Sequence, residues 1–180
     1  MKSRRCVFNG FLLFAALAFI AGCGTPEERQ RKKELSNIRI HLQSDQGDRS
    51  SAVSIFRDSP ILVNIEREPI LDEHQVVAAM VVDQPGGTFA VEVQFDRQGS
   101  WILERTTVMN KGRHLAIFSY FGPSRWIAAP EIKSKNSTGR LTFTPDCTRE
   151  EAERLVRGLN NVVHKLERRE NWPFPAPVDK

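Results

Sequence analysis

Near the end of the chain, Ala152, Leu155, Val156, Leu159, Val162, Val163 and Leu166 recur at helical spacing and draw one apolar stripe along a charged segment. Thr148 and Glu151 stand at its start as a Ser/Thr-x-x-Glu capping box. Arg149, Glu153, Arg154 and Arg157 fall on the other side and are expected to face solvent. A helix with one apolar stripe draws most of its stability from burying it. The rest of the chain must therefore offer a flat apolar surface, and the pattern upstream is that of a sheet.

Ile38, Ile40 and Leu42 alternate with polar neighbours, as do Val53 and Ile55, so both stretches predict half-buried strands. The stretch "ILVNIER" at 61–67 predicts another, and residues 71–75, after Pro69, predict a short turn or helical bracket. Two apolar runs, "VVAAMVV" and "TFAVEVQF", flank Gln84-Pro85-Gly86-Gly87 and predict a hairpin. Asp96 is placed to cap a helix from Arg97 to Asn110, with Gly112 as its left-handed stop. "RHLAIFSYF", "RWIAAPEI" and "RLTFT" predict three more strands. The fold class is α+β: a ferredoxin-like two-layer sandwich with two helices on one face of a mainly antiparallel sheet.

The first 22 residues follow the grammar of an export signal. Lys2, Arg4 and Arg5 precede an apolar run from Phe11 to Ile20, and small residues Ala21 and Gly22 follow. The run is shorter than the ~20 residues of a single spanning helix. Ile20-Ala21-Gly22-Cys23 resembles the lipobox of bacterial lipoproteins, with Ile20 in place of the commoner leucine. The resemblance implies cleavage before Cys23 and a lipid on its sulfur, which anchors the chain to a membrane. Gly24 in the next position favours an outer over an inner membrane and a periplasm-facing domain.

Removing residues 1–22, which carry three cations and no acid, lowers the formal charge from +4 to +1. The apparent basicity thus belongs to the signal, and no later basic stripe argues for nucleic acid. Cys6 leaves with the signal and Cys23 takes the lipid, so Cys147 has no intramolecular disulfide partner. The segment 23–36, with Arg29, Arg31, Lys32 and Lys33 among three acids, is a solvated tether. Residues 37–168 form the α+β domain, and 169–180, with prolines at 173, 175 and 177, a Pro-rich tail.

From Ile61 to Val163 the chain resembles the first periplasmic domain of the SecD/SecDF protein-export subunit, in particular its head subdomain. The resemblance lies in "ILVNIEREPILDEHQVVAAMVV", in "VEVQFDRQG", and in Asn110, Gly112, Leu115, Ala116 and Ile117. It continues through Ala129-Pro130-Glu131-Ile132 and the closing Thr148, Glu150, Glu151, Ala152 and Leu155. It implies a non-catalytic protein-binding module accessory to protein export. The family's membrane helices, which couple export to proton flow, find no counterpart here, and a proton-driven motor is not expected.

Catalytic chemistry is not expected either. His41, His74, His114 and His164 lack a zinc-ligand spacing, and Asp72-Glu73-His74 reads as solvated side chains. Cys147 could be activated by the helix that follows it, but a buried structural thiol is the preferred reading. No phosphate-cradling, dinucleotide or nucleophile-elbow motif occurs, and no cofactor, metal or small-molecule substrate is expected. The candidate site is a surface: Tyr120, Phe121, Arg125 and Trp126 cluster about Gly122 in a lengthened hairpin, a composition typical of binding hot spots. The same aromatics could instead fold back as core. The expected partners are a membrane and a protein, exported chains or envelope proteins. The alternative function is a structural or assembly lipoprotein of the envelope.

Overall fold

The computed structural model describes residues 25–45, 50–57 and 59–170. Cys23, the signal and, of the expected tail 169–180, residues 171–180 lie outside them; residues 169 and 170 belong instead to the last helix. The chain divides into two compact units, Met1–Lys32 and Lys33–Lys180. In the first, the charged stretch forms a short helix, α1 (Pro26–Arg31), with no buried residue. Thr25 caps it: its hydroxyl accepts the Glu28 N–H at 3.3 Å, and the Glu28 carboxylate accepts the Thr25 N–H at 3.2 Å.

The second unit is α+β. Its strands are β1 (Asn37–Leu42), β2 (Ser50–Ile55), β3 (Ile61–Glu66), β4 (Leu71–Asp72), β5 (Val76–Asp83), β6 (Phe89–Phe95), β7 (Leu115–Tyr120), β8 (Ser124–Ala128) and β9 (Arg140–Phe143). Helix α2 spans Arg97–Met109 and α3 spans Arg149–Glu170. Pairing is antiparallel throughout, in three hydrogen-bonded groups: β4-β1-β7-β8, β2-β3 and β5-β6-β9. The bracket expected at 71–75 is a two-residue strand followed by a 3-10 turn. Asp72 caps that turn, its carboxylate accepting the His74 N–H at 2.8 Å.

Strand periodicity distributes side chains between two cores. Ile38, Ile40, Leu42, Leu115 and Ile117 enter the larger one, with Val91, Val93 and Phe95 from β6 and Leu103 from α2. Ala116 joins a smaller core under the β2–β3 ribbon, formed by Ile55, Val63 and Ile65, with Phe56 and Trp126 packed against it. The four-stranded group thus packs against a core on each face, with Arg39 and Tyr120 left exposed. Phe56, at the end of β2, holds φ at +71°, an uncommon conformation for a residue with a side chain.

The final helix delivers the stripe its sequence promises: Ala152, Leu155, Leu159 and Val163 are buried in the larger core. The capping box forms, with the Thr148 hydroxyl accepting the Glu151 N–H at 3.3 Å and the Glu151 carboxylate accepting the Thr148 N–H at 3.0 Å. One residue expected to face solvent does not simply do so. Arg157 donates from Nε to the Glu34 carboxylate at 2.7 Å, and Asn161 Nδ2 donates to the Glu34 carbonyl at 2.9 Å. Ser36 is buried against Gly158, where a Cβ would stand 2.2 Å from Ser36 Oγ. Residues 34–36, read as tether, are therefore packed on α3.

Asn160 joins the same helix to β5. Its Oδ1 accepts the Ala79 N–H at 2.9 Å and its Nδ2 donates to the Ala79 carbonyl at 3.0 Å. One side chain thus satisfies both backbone groups of an edge-strand residue, which a strand edge would otherwise leave open. Helix α2 starts as read: the Asp96 carboxylate accepts the Gly99 N–H at 2.6 Å. It ends at Met109 with Asn110 as its C-cap, and Gly112, at φ +85°, donates its N–H to the Ile132 carbonyl.

Candidate interaction surface

Strands β7 and β8 place Phe118 opposite Trp126 and Ser119 opposite Arg125. Directly opposed residues share a face, so Trp126 sits with Phe118 on the side of the smaller core, and Arg125 lies on the other. Trp126 is half-buried, edge-on to Phe118 at 5.3 Å and to His41 at 5.2 Å. The turn that follows β7 passes through Gly122 at φ +125° and brings Phe121 back into the larger core, where it is only 3% exposed.

Arg125 covers that ring, its guanidinium 5.6 Å from the ring centre. It then donates to the Glu151 carboxylate at 3.0 Å and lies 3.5 Å from Asp146. Of the four hairpin residues expected as an exposed cluster, only Tyr120 is exposed, at 48%. The expectation is corrected for the other three. Phe121 is core, Trp126 seals the second core, and Arg125 is tied to two acids because both faces of this hairpin are occupied.

The acids that hold Arg125 also hold Arg57, just past β2. The Arg57 N–H donates to Asp146 Oδ2 at 2.8 Å, and its guanidinium lies 3.6 Å from Asp146 and 3.9 Å from Glu151. Two hairpins, β2–β3 and β7–β8, are thereby joined to Asp146, just before α3, and to Glu151 in its first turn. The β2–β3 ribbon carries exposed Ile61 and Leu62, the latter 79% exposed. With Tyr120, these are the large apolar side chains that the described residues of the two hairpins leave to solvent. Leu62 was not singled out from sequence, although period-two alternation puts it opposite to Val63, on the face away from the core.

Two groups near this surface bear on its chemistry. Burial pushes the Cys147 thiol up to about 11; Glu151 and Asp146 add to the rise, and Arg125 and Arg57 partly offset it. The helix N-terminus therefore does not activate Cys147, which stays a protonated thiol at neutral pH. His41 accepts no proton easily: burial holds its imidazole below the ordinary range, opposed by its bond to the Glu66 carbonyl and aided by Arg39. A carbonyl only accepts, so the Nδ1–H form donates to it at 2.8 Å. Among the described residues no three His, Cys, Asp or Glu side chains are placed to share a metal ion.

Residues 38–161 match the family described as SecDF, P1 head subdomain. Two solved structures share the fold. One, titled as the structure and function of a membrane component SecDF that enhances protein export, is 16% identical with a TM-score of 0.55, over 78% of this chain and 70% of that one. The other, SecDF in a super-membrane-facing form, is 16% identical with a TM-score of 0.54, over 77% of this chain and 21% of that one. The chain thus corresponds to about a fifth of the length of the second. No curated protein matches it.

Proposed function

The chain belongs to the SecDF P1 head subdomain family, and from that premise we propose that it is a non-catalytic, polypeptide-binding accessory of protein export. In this reading a lipid on Cys23 holds it at a membrane, with the domain facing the periplasm and the outer membrane favoured. The family match over residues 38–161 carries the proposal. A solved relative is described as a membrane component that enhances protein export, which supplies the process. The surface assigned to clients is the pair of pinned hairpins, with Leu62, Ile61 and Tyr120 exposed on a rigid support.

Rigid support matters because an exposed apolar side chain binds well only if ordering it costs little. The Arg57 and Arg125 bonds to Asp146 and Glu151 supply that order. No helix among the described residues is long and apolar enough to cross a membrane.

The test is whether the purified full chain, in detergent, slows aggregation of an unfolded exported protein. Leu62→Asp with Tyr120→Ser is expected to weaken that effect at least about tenfold, a 1.4 kcal/mol loss, with the melting temperature unchanged. Full protection by the double variant, or none by the parent chain at excess, contradicts client binding and leaves the structural-lipoprotein reading.

A further inference from the structure

Helix α2 turns a second exposed apolar group outward, on residues the client surface does not use. Trp101, Val108 and Met109 are 60%, 57% and 69% exposed. With Arg97 and Arg105 they occupy one side of the helix, while Gly99, Leu103 and Thr107 are buried on the other. The guanidinium of Arg105 lies 5.7 Å from the centre of the Trp101 ring. The burial is self-consistent: a Cβ on Gly99 would meet Phe95 and Gln75 at 2.9 Å, and Thr107 donates back to the Leu103 carbonyl at 2.8 Å. Rotation of the helix to hide its apolar side chains is therefore blocked.

Charge on this face is net positive. The helix has a single acid, Glu104, and that carboxylate is paired with Lys135 at 2.5 Å. Arg97, Arg105 and, just past the helix, Lys111 are exposed, and no ion pair joins them to an acid among the described residues. Trp, Met and Val between long cations form a surface that can sit in a headgroup region: the apolar bodies enter the acyl boundary while the guanidinium and ammonium groups reach phosphate.

Shape separates lipid from polypeptide. A peptide binds by adding to a strand edge or by filling a groove. The space among Trp101, Glu104, Arg105, Val108 and Met109 is about 260 Å³ and open, below the ~300–1,000 Å³ of ligand pockets. The outside of a helix meets a plane more readily than it grips a chain.

We propose that the outer face of α2 rests on an anionic lipid surface, with Trp101, Val108 and Met109 in the headgroup boundary and Arg97, Arg105 and Lys111 on lipid phosphates. The contact is made by the folded domain and is separate from any lipid on Cys23. It does not depend on client binding, since it uses none of the same residues.

Full-length chain reconstituted into phosphatidylcholine vesicles, with or without phosphatidylglycerol, tests it. Trp126→Phe and Trp172→Phe leave Trp101 as the single emitter of the three tryptophans. Its emission is expected to shift to the blue and to be quenched by brominated acyl chains only in the anionic vesicles, and Arg97→Glu with Arg105→Glu is expected to abolish both effects. If Trp126→Phe unfolds the chain, fluorotryptophan incorporated into the otherwise native protein gives the same readout by fluorine NMR, with Trp101→Phe assigning the resonance. Water-like emission in both vesicle types overturns the proposal. So does a shift that appears only when unfolded polypeptide is added, which would assign the face to a protein.

Discussion

The guanidinium of Arg125 stands 5.6 Å from the centre of the Phe121 ring, and the ring beneath it is only 3% exposed. A side chain that composition places in a binding patch is therefore a structural element of the larger core. Phe121→Ala is expected to cost about 3–5 kcal/mol in urea unfolding, the range for deleting a buried aromatic ring. Tyr120→Ser, on the exposed side, should stay within about 0.5 kcal/mol. Equal effects of the two would place Phe121 outside the core.

A Cβ at Gly158 would stand 2.2 Å from Ser36 Oγ and 2.6 Å from the Ser36 backbone nitrogen. The hydroxyl could turn away, but the backbone contact cannot be relieved without moving residues 34–36. Gly158→Ala is expected to destabilise the domain by about 1–3 kcal/mol, as overpacking does, despite alanine's better helix propensity. A stabilised variant in thermal melts would show that the segment before β1 is not packed on α3.

His41 supplies a pH dependence whose direction is fixed by its burial. Its folded-state pKa lies below the ordinary 6.5, so between those values the unfolded chain binds a proton that the folded chain does not. Stability is then complete above 6.5 and falls as pH drops through 6.5 toward the folded value. Urea midpoints measured from pH 7.5 down to 5 should fall, and His41→Gln should flatten that part of the profile. An unchanged slope in the variant would remove His41 as the cause.

Cys147 should resist alkylation. With its thiol raised to about 11 and half-buried, little thiolate exists at pH 8. Iodoacetamide is expected to label it far more slowly in folded protein than in urea, and Glu151→Gln, which removes the carboxylate that raises the thiol most, should increase the rate. Rapid labelling of the folded parent chain would reopen a nucleophilic role.

The parts legible in sequence were those governed by local rules. The Thr148–Glu151 cap, the Ala152-to-Val163 stripe, the Asp96 cap and the hairpin about Gly86-Gly87 rest on neighbouring residues alone, and each is present. The orientation of the β7–β8 aromatics was not legible. Each face of its strands packs against a core, so polarity does not mark an outside, and one of the two rings against Trp126 is His41, far away in sequence. Arg125 and Arg57 converge on Asp146 and Glu151 only through tertiary packing. The exposed face of α2 was available from the spacing of Trp101, Arg105, Val108 and Met109 once the buried side of the helix was known. An apolar residue in a helix otherwise suggests core, which hid that signal.

Site-specific photocrosslinking in native cells tests the central claim most directly. A photoreactive residue at Leu62, the most exposed large apolar side chain among the described residues, is compared with one at Glu153 on the solvent side of α3. Adducts at position 62 with nascent exported chains or translocon subunits, identified by mass spectrometry, are expected, and none of these at 153. Adducts at 62 confined to other envelope proteins or to copies of this chain would contradict a role in export.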